Sequence, residues 1–165
     1  AQKKEHSLAS LKLKENPLIL IAEAPEKPGN IGALARTVDA AKVDALIIAN
    51  SKTDLYNSNV IRSSVGCMFS IPIAIASNDE VFSFLKSNGI KLYSAALSEK
   101  AKAYTEENYT EATAIAVGTE DIGLTDGWCK QSENHIVIPM LGVNDSLNVS
   151  VAAGIILFEA LRQRK

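Results

Sequence analysis

The chain has 165 residues, 47% of them hydrophobic, 22% charged and only 5% aromatic, with a formal net charge of −2. A chain of this length makes one domain that hides roughly 70% of its unfolded surface, so it needs neither disulfide nor metal to hold a core. The composition excludes a disordered or fibrous chain, and no apolar run approaches the ~18 residues of a membrane span. Residues 1–15 are polar and carry Lys3, Lys4, Lys12 and Lys14. They read as an N-terminal segment left from a linker, and the start on Ala1 rather than methionine points to a preceding domain. From residue 16 to 165 the pattern is that of one domain. Apolar segments of strand length follow at Leu18–Ala22, Ala45–Ala49, Phe69–Ile75, Ile90–Ala96, Ala112–Val117 and His135–Pro139, separated by stretches with helical spacing. This alternation predicts an α/β fold with a mostly parallel sheet. Because the strands are apolar without a break, helices are expected on both faces.

Two helices are informative. After Pro28-Gly29-Asn30, the residues Ile31, Leu34, Ala35 and Val38 fall on one stripe, with Asn30 predicted as the N-cap. Arg36 lies about 140° round from Ile31, on the side of Gly32 and Ala40 and off the core stripe. The last helix is predicted from about Leu147 to Arg164, with Ser146 placed to cap it. One of its faces carries Leu147, Val151, Gly154, Phe158 and Leu161, and the nearly opposite face carries Val149, Ala152, Ile156 and Ala160. A helix apolar all round must be covered twice, which predicts a homodimer through this C-terminal helix.

Glycine-bearing loops follow three of the predicted strands: Glu23 to Asn30, Gly118 to Leu124, and Pro139 to Ser146. In open α/β sheets ligands bind beyond the carboxyl ends of strands, where glycine lets backbone approach them. No G-x-x-x-x-G-K-[ST] phosphate loop, G-x-G-x-x-G turn or G-x-S-x-G elbow is present. Neither His6 nor His135 lies near a nucleophile, and with Cys67 and Cys129 they show no metal-ligand spacing, so no metal is expected. Two distant cysteines fit a reduced, cytoplasmic setting.

The three loops carry a resemblance. Asn30-Ile31-Gly32-Ala33-Leu34-Ala35-Arg36 resembles the first motif, N-x-G-x-x-x-R, of the SpoU-type RNA ribose methyltransferases of the SPOUT class. Gly118-Thr119-Glu120 with Gly123-Leu124 is similar to the second, and Ile138-Pro139-Met140 followed by Ser146-Leu147-Asn148-Val149-Ser150 to the third. Arg62-Ser63-Ser64-Val65-Gly66 stands where the family often has R-x-S-x-G. Asp121 departs from the pattern, since the family often has glycine directly after the glutamate.

The resemblance implies a C-terminal trefoil knot, a homodimer and bound S-adenosylmethionine. It also implies methyl transfer to a ribose 2′-hydroxyl of structured RNA, ribosomal RNA in preference to transfer RNA. Residues 16–165 would then be the methyltransferase domain. Gly118, Ile138, Pro139, Met140 and Leu147 would hold the cofactor, while Arg36, Asn30, Glu120, Ser146 and Asn148 would serve catalysis. Free guanidinium stays protonated and is a poor base unless strongly perturbed, so of the two roles the resemblance implies for Arg36, activating the hydroxyl or gripping phosphate and stabilising alkoxide charge, the second is preferred. The competing readings are a transfer RNA enzyme, a catalytically silent RNA-binding module of the same fold, and a nucleotide-binding α/β enzyme unrelated to RNA. The mild net acidity is the one feature that runs against RNA binding.

Overall fold

A computed structural model describes residues 5–98, 100–119, 121–132 and 134–165. Among these residues seven strands form one sheet: β1 (Leu18–Glu23), β2 (Ala45–Ala49), β3 (Ile73–Ala76), β4 (Lys91–Ala95), β5 (Lys102–Ala103), β6 (Thr113–Val117) and β7 (Asn134–Val137). Their order is β3-β2-β1-β6-β4-β7-β5, and every pairing is parallel. β1 and β2 are buried along their whole length, as continuous Leu/Ile/Ala runs require in a sheet covered twice.

The helices are α1 (Pro28–Ala40), α2 (Ser58–Ser64), α3 (Cys67–Ser70), α4 (Asn78–Ser87), α5 (Asp126–Gln131) and α6 (Val149–Gln163). One face of the sheet packs Leu18, Leu20, Ile115 and Ile136 against Leu34 and Val38 of α1 and Ile156, Leu157 and Ala160 of α6. The other packs Ile19, Ile21, Ala114 and Ala116 against Val81 and Leu85 of α4 and Trp128 of α5. Leu8, Leu11 and Leu13 of the N-terminal segment join this second core, and the Ile75 amide donates to the His6 carbonyl (2.8 Å), so the segment covers the β3 edge. Gly32 lets α1 approach α2 closely: a methyl group there would strike the Ser63 side chain and the Ser64 backbone nitrogen.

Several boundaries differ from the sequence reading, each for a local reason. The apolar run Phe69–Ile75 is not one strand. Cys67–Ser70 forms a single helical turn, and β3 begins only after Pro72, which has no N–H to give a ladder. Asn30 is not the N-cap of α1. Pro28 occupies the first turn behind Lys27, because its fixed φ suits that position and its missing N–H is an orphan there anyway. Ser146 does not cap the last helix; Asn148 does, its side chain accepting from the Ser150 amide (3.0 Å), and α6 starts at Val149 rather than Leu147. The short β5 escaped the sequence reading, since two residues carry no period.

Candidate active site

The strand order reverses where β1 meets β6. The chain leaving β1 enters α1 on one face of the sheet, and the chain leaving β6 enters α5 on the other. Such a switch point opens a crevice beyond the strand ends. Ala22 pairs in register with Val117, Ala116 with Ser94, and Ala95 with Ile136, so the loops after β1, β6, β4 and β7 emerge along one edge.

Two neighbouring hollows occupy that edge. The first is a cleft at the switch point, lined by Ala22, Pro25, Lys27, Asn30, Gly118, Thr119, Asp121 and Val149, among others. Here the first and third loops touch directly: the Asn148 side-chain amide donates to Asn30 Oδ1 (3.3 Å) across 118 positions of sequence. Asn148 thus does two things with one side chain, since its oxygen also accepts from the Ser150 amide and hydroxyl (3.0 and 2.6 Å). Glu26 lies on the same cleft, and its carboxyl is held below the usual range by a hydrogen bond and ion pair with Lys52 (2.6 Å).

The second hollow is apolar and lies beyond β4 and β7, between Ala95, Leu97, Ile136, Ile138, Met140, Leu147 and Ile156, with Asp145 and Ser146 at its margin. An apolar slot with a carboxylate and a hydroxyl at its mouth suits a flat heterocycle bearing a polar, hydroxylated arm. Ser146 donates to Asp145 (3.3 Å), which holds the two polar groups together.

The predicted residues therefore separate. Asn30 and Gly118 line the first hollow, Asn148 bonds to Asn30 there, and Ile138, Met140, Leu147 and Ser146 line the second. Pro139 is exposed on the loop between them in sequence. Arg36 is exposed on α1, about 1.7 turns or 9 Å of helix rise beyond Asn30, where its charge acts on the Cys67 thiol. That thiol is pushed up mainly by burial and also by Asp39, with Arg36 opposing. Among the described residues the Arg36 side chain makes no hydrogen bond or ion pair, and none joins it to Asn30, Ser146 or Asn148. Glu120 lies outside the described residues. Lining residues the sequence reading passed over include Lys27, Thr119, Asp121, Leu97 and Asp145. Each had a usable signal, namely its place directly after a predicted strand or within a glycine loop.

Residues 17–158 match the model of the SpoU rRNA Methylase family. The chain belongs to the SpoU rRNA methylase family. It is 34% identical over 140 residues to a 23S rRNA (guanosine(2553)-2′-O)-methyltransferase of Bacillus subtilis, a match covering 85% of this chain and 56% of that protein. A tRNA (guanosine(18)-2′-O)-methyltransferase of Thermus thermophilus is 37% identical over 155 residues, 93% of this chain and 79% of its own length. The crystal structure of the SpoU methyltransferase AviRb from Streptomyces viridochromogenes, in complex with AdoMet, superposes with a TM-score of 0.91 at 31% identity. It covers 98% of this chain and 66% of that one. This SpoU chain spans little more than half the length of the Bacillus relative. None of its described helices is long and apolar enough to cross a membrane.

Proposed function

We propose that this chain is the catalytic domain of a methyltransferase that uses S-adenosylmethionine to modify a ribose 2′-hydroxyl in RNA, with ribosomal RNA as substrate. The observation that carries the reading is the meeting of Asn30 and Asn148 beside Gly118, which sets residues of all three family motifs at one switch-point cleft. The apolar hollow next to it suits the adenosine part of the cofactor, with Ile138, Met140 and Leu147 packing on the ring and Asp145 and Ser146 facing its hydroxyls. Pro139 lends no N–H, so backbone contacts there come from its neighbours and from Gly118.

Bound S-adenosylmethionine supplies a methyl group already made electrophilic by its sulfonium. The protein has to align the acceptor with it and ease the loss of the hydroxyl proton. In this reading Asn30, Ser146 and Asn148 position the ribose. Glu120 takes a polar edge of the cofactor or substrate. Arg36, always cationic, grips the adjacent phosphate with two parallel N–H donors and stabilises charge developing on the sugar oxygen.

Homodimerisation, the trefoil knot and a cytoplasmic setting belong to the same reading. On α6 the residues Val151 (50% exposed) and Phe158 (52%) stand on the face opposite the buried Ala153 and Ile156, a stripe that a second copy would cover. With Arg36 pointing outward and unpaired among the described residues, the reading assigns it to the site of that second copy.

A specific observation favours transfer RNA as the second reading: the Thermus relative named for transfer RNA is matched over the larger share of its own length. The deciding experiment is calorimetry with S-adenosylmethionine, followed by transfer of a labelled methyl group to ribosomal and transfer RNA. Absence of binding at millimolar cofactor ends the methyltransferase reading. Arg36→Ala is expected to bind cofactor normally and to lose about 10²–10³-fold in turnover, the scale of a missing charge-stabilising donor. Unchanged turnover removes Arg36 from the mechanism.

A further inference from the structure

Beneath the second loop lies a buried carboxylate that the mechanism above does not use. Glu23 ends β1 with its side chain on the face of Ile19 and Ile21, away from the cleft lined by Ala22 and Leu34, and is only 3% exposed. Three donors converge on it. Asn78 Nδ2 (3.0 Å) and the Thr125 hydroxyl (2.7 Å) reach Oε1, and the Thr125 amide (2.8 Å) reaches Oε2. The group works purely as an acceptor, so an amide in its place would turn an N–H against a donor.

Its partners are committed to it at some cost to themselves. Thr125 is the N-cap of α5, yet its hydroxyl caps nothing because it is bonded to Glu23 across 102 positions of sequence. Asn78 leaves its own Oδ1 buried without a partner, and flipping that amide would set oxygen against carboxylate. Apolar groups of similar shape would hold these three elements together at least as well. What the polar clamp adds is a defined position.

The position it defines is that of the second loop. Val117 pairs with Ala22, so Gly118 stands beside Glu23 at the strand ends. The space a side chain would take at Gly118 is filled by the Gly123 carbonyl and the Leu124 nitrogen, so the returning chain passes directly under the end of β6. Thr119 and Gly123 exchange both backbone hydrogen bonds (3.2 and 3.0 Å), which closes the neck of the loop. The residue that follows Leu124 is Thr125, held by Glu23. The clamp therefore grips the loop at its only long-range polar tether among the described residues.

We propose that Glu23 is a positioning residue: through Thr125 it fixes the Gly118–Leu124 loop over the switch-point cleft, and it touches no ligand itself. This rests on the methyltransferase reading for its consequence, though not for its geometry. The variants are Glu23→Gln, Thr125→Val and their double, with Thr125→Ser as the conservative control. Each is followed by S-adenosylmethionine calorimetry, steady-state kinetics, thermal midpoint, and amide hydrogen exchange over residues 119–124.

Glu23→Gln is expected to speed exchange in that loop, weaken cofactor binding about tenfold and lower kcat by about 10- to 100-fold, the scale of a misplacement near 1 Å. Thr125→Ser is expected to keep the wild-type values. The double variant should lose no more than the worse single variant, because both sever one tether. Unchanged loop exchange in Glu23→Gln overturns the proposal, as does a loss of binding fully accounted for by the unfolded fraction. If wild-type protein binds no S-adenosylmethionine, the methyltransferase reading fails, while the exchange measurement still decides whether Glu23 sets the loop.

Discussion

The second and third glycine loops leave the same edge of the sheet, yet they are held in opposite ways. The second is drawn under its own strand, its neck closed by Thr119 and Gly123 and its exit tied to buried Glu23. The third, after β7, stands out from the domain: Leu141 is 98% exposed and Val143 104%, and nothing lies within 4 Å of where a Gly142 side chain would begin. Its polar anchor lies at the end, where Asn148 caps α6 and donates to Asn30. A loop that satisfies itself inside one chain can serve as a fixed wall. A loop that leaves apolar side chains in water has no such internal support and is free to change its path.

The sharpest way to break this contrast is a pair of glycine substitutions. Gly118→Ala forces a methyl group into the Gly123–Leu124 backbone and is expected to destabilise by about 3 kcal/mol, at the upper end of overpacking costs. Gly142→Ala meets open space and should stay within about 0.5 kcal/mol of wild type. Urea midpoints measure both; similar shifts would show the two loops to be held alike.

Next comes the outer surface. Phe158→Glu sets a charge in the middle of the exposed α6 stripe without entering the core, so sedimentation should show a folded monomer whose melting midpoint falls by no more than the lost association accounts for. A wild-type protein that is already monomeric at micromolar concentration refutes the expectation.

Asn148→Ala probes the shared anchor. Loss of the cap costs about 1 kcal/mol, and the break with Asn30 should lower turnover well beyond what that stability change explains. Equal proportional losses would reduce Asn148 to a cap.

The smallest effect belongs to the far end of α6. There Glu159 accepts from Arg162 (2.8 Å) and from Gln163 (2.8 Å), which hold its carboxyl down to about 2 from an ordinary 4.5. A depressed carboxyl contributes stability that is complete above the unfolded value and disappears as pH falls through the folded one. Wild type should thus lose slightly more stability than Glu159→Gln between about pH 5 and pH 2. Parallel unfolding curves across that window would remove the contribution.

Much of this molecule could be read from order and spacing alone. Uninterrupted apolar runs at Leu18–Ala22 and Ala45–Ala49 dictated strands covered on both faces, because such segments have no polar side to give to water. The period of Ile31, Leu34, Ala35 and Val38 fixed the buried face of α1. Runs too short to show a period failed, as at Phe69–Ile75, where a helical turn and a strand share one apolar stretch. The Asn30 cap failed because proline geometry outranked side-chain capping. The motifs marked which loops matter, but not that Asn30 and Gly118 face one hollow while Ile138, Met140 and Leu147 face another.

Glu23 shows where the boundary lies. Its sequence position promises only a charged residue closing an apolar strand. That it should be buried, and bonded to residues 55 and 102 positions away, follows from the β1–β6 pairing that brings its strand end beside Gly118 and α5 beneath both. Patterning determines which side of each element avoids water, since that depends on near neighbours along the chain. Which polar groups then satisfy one another depends on strand order, and strand order is set only when the whole chain packs.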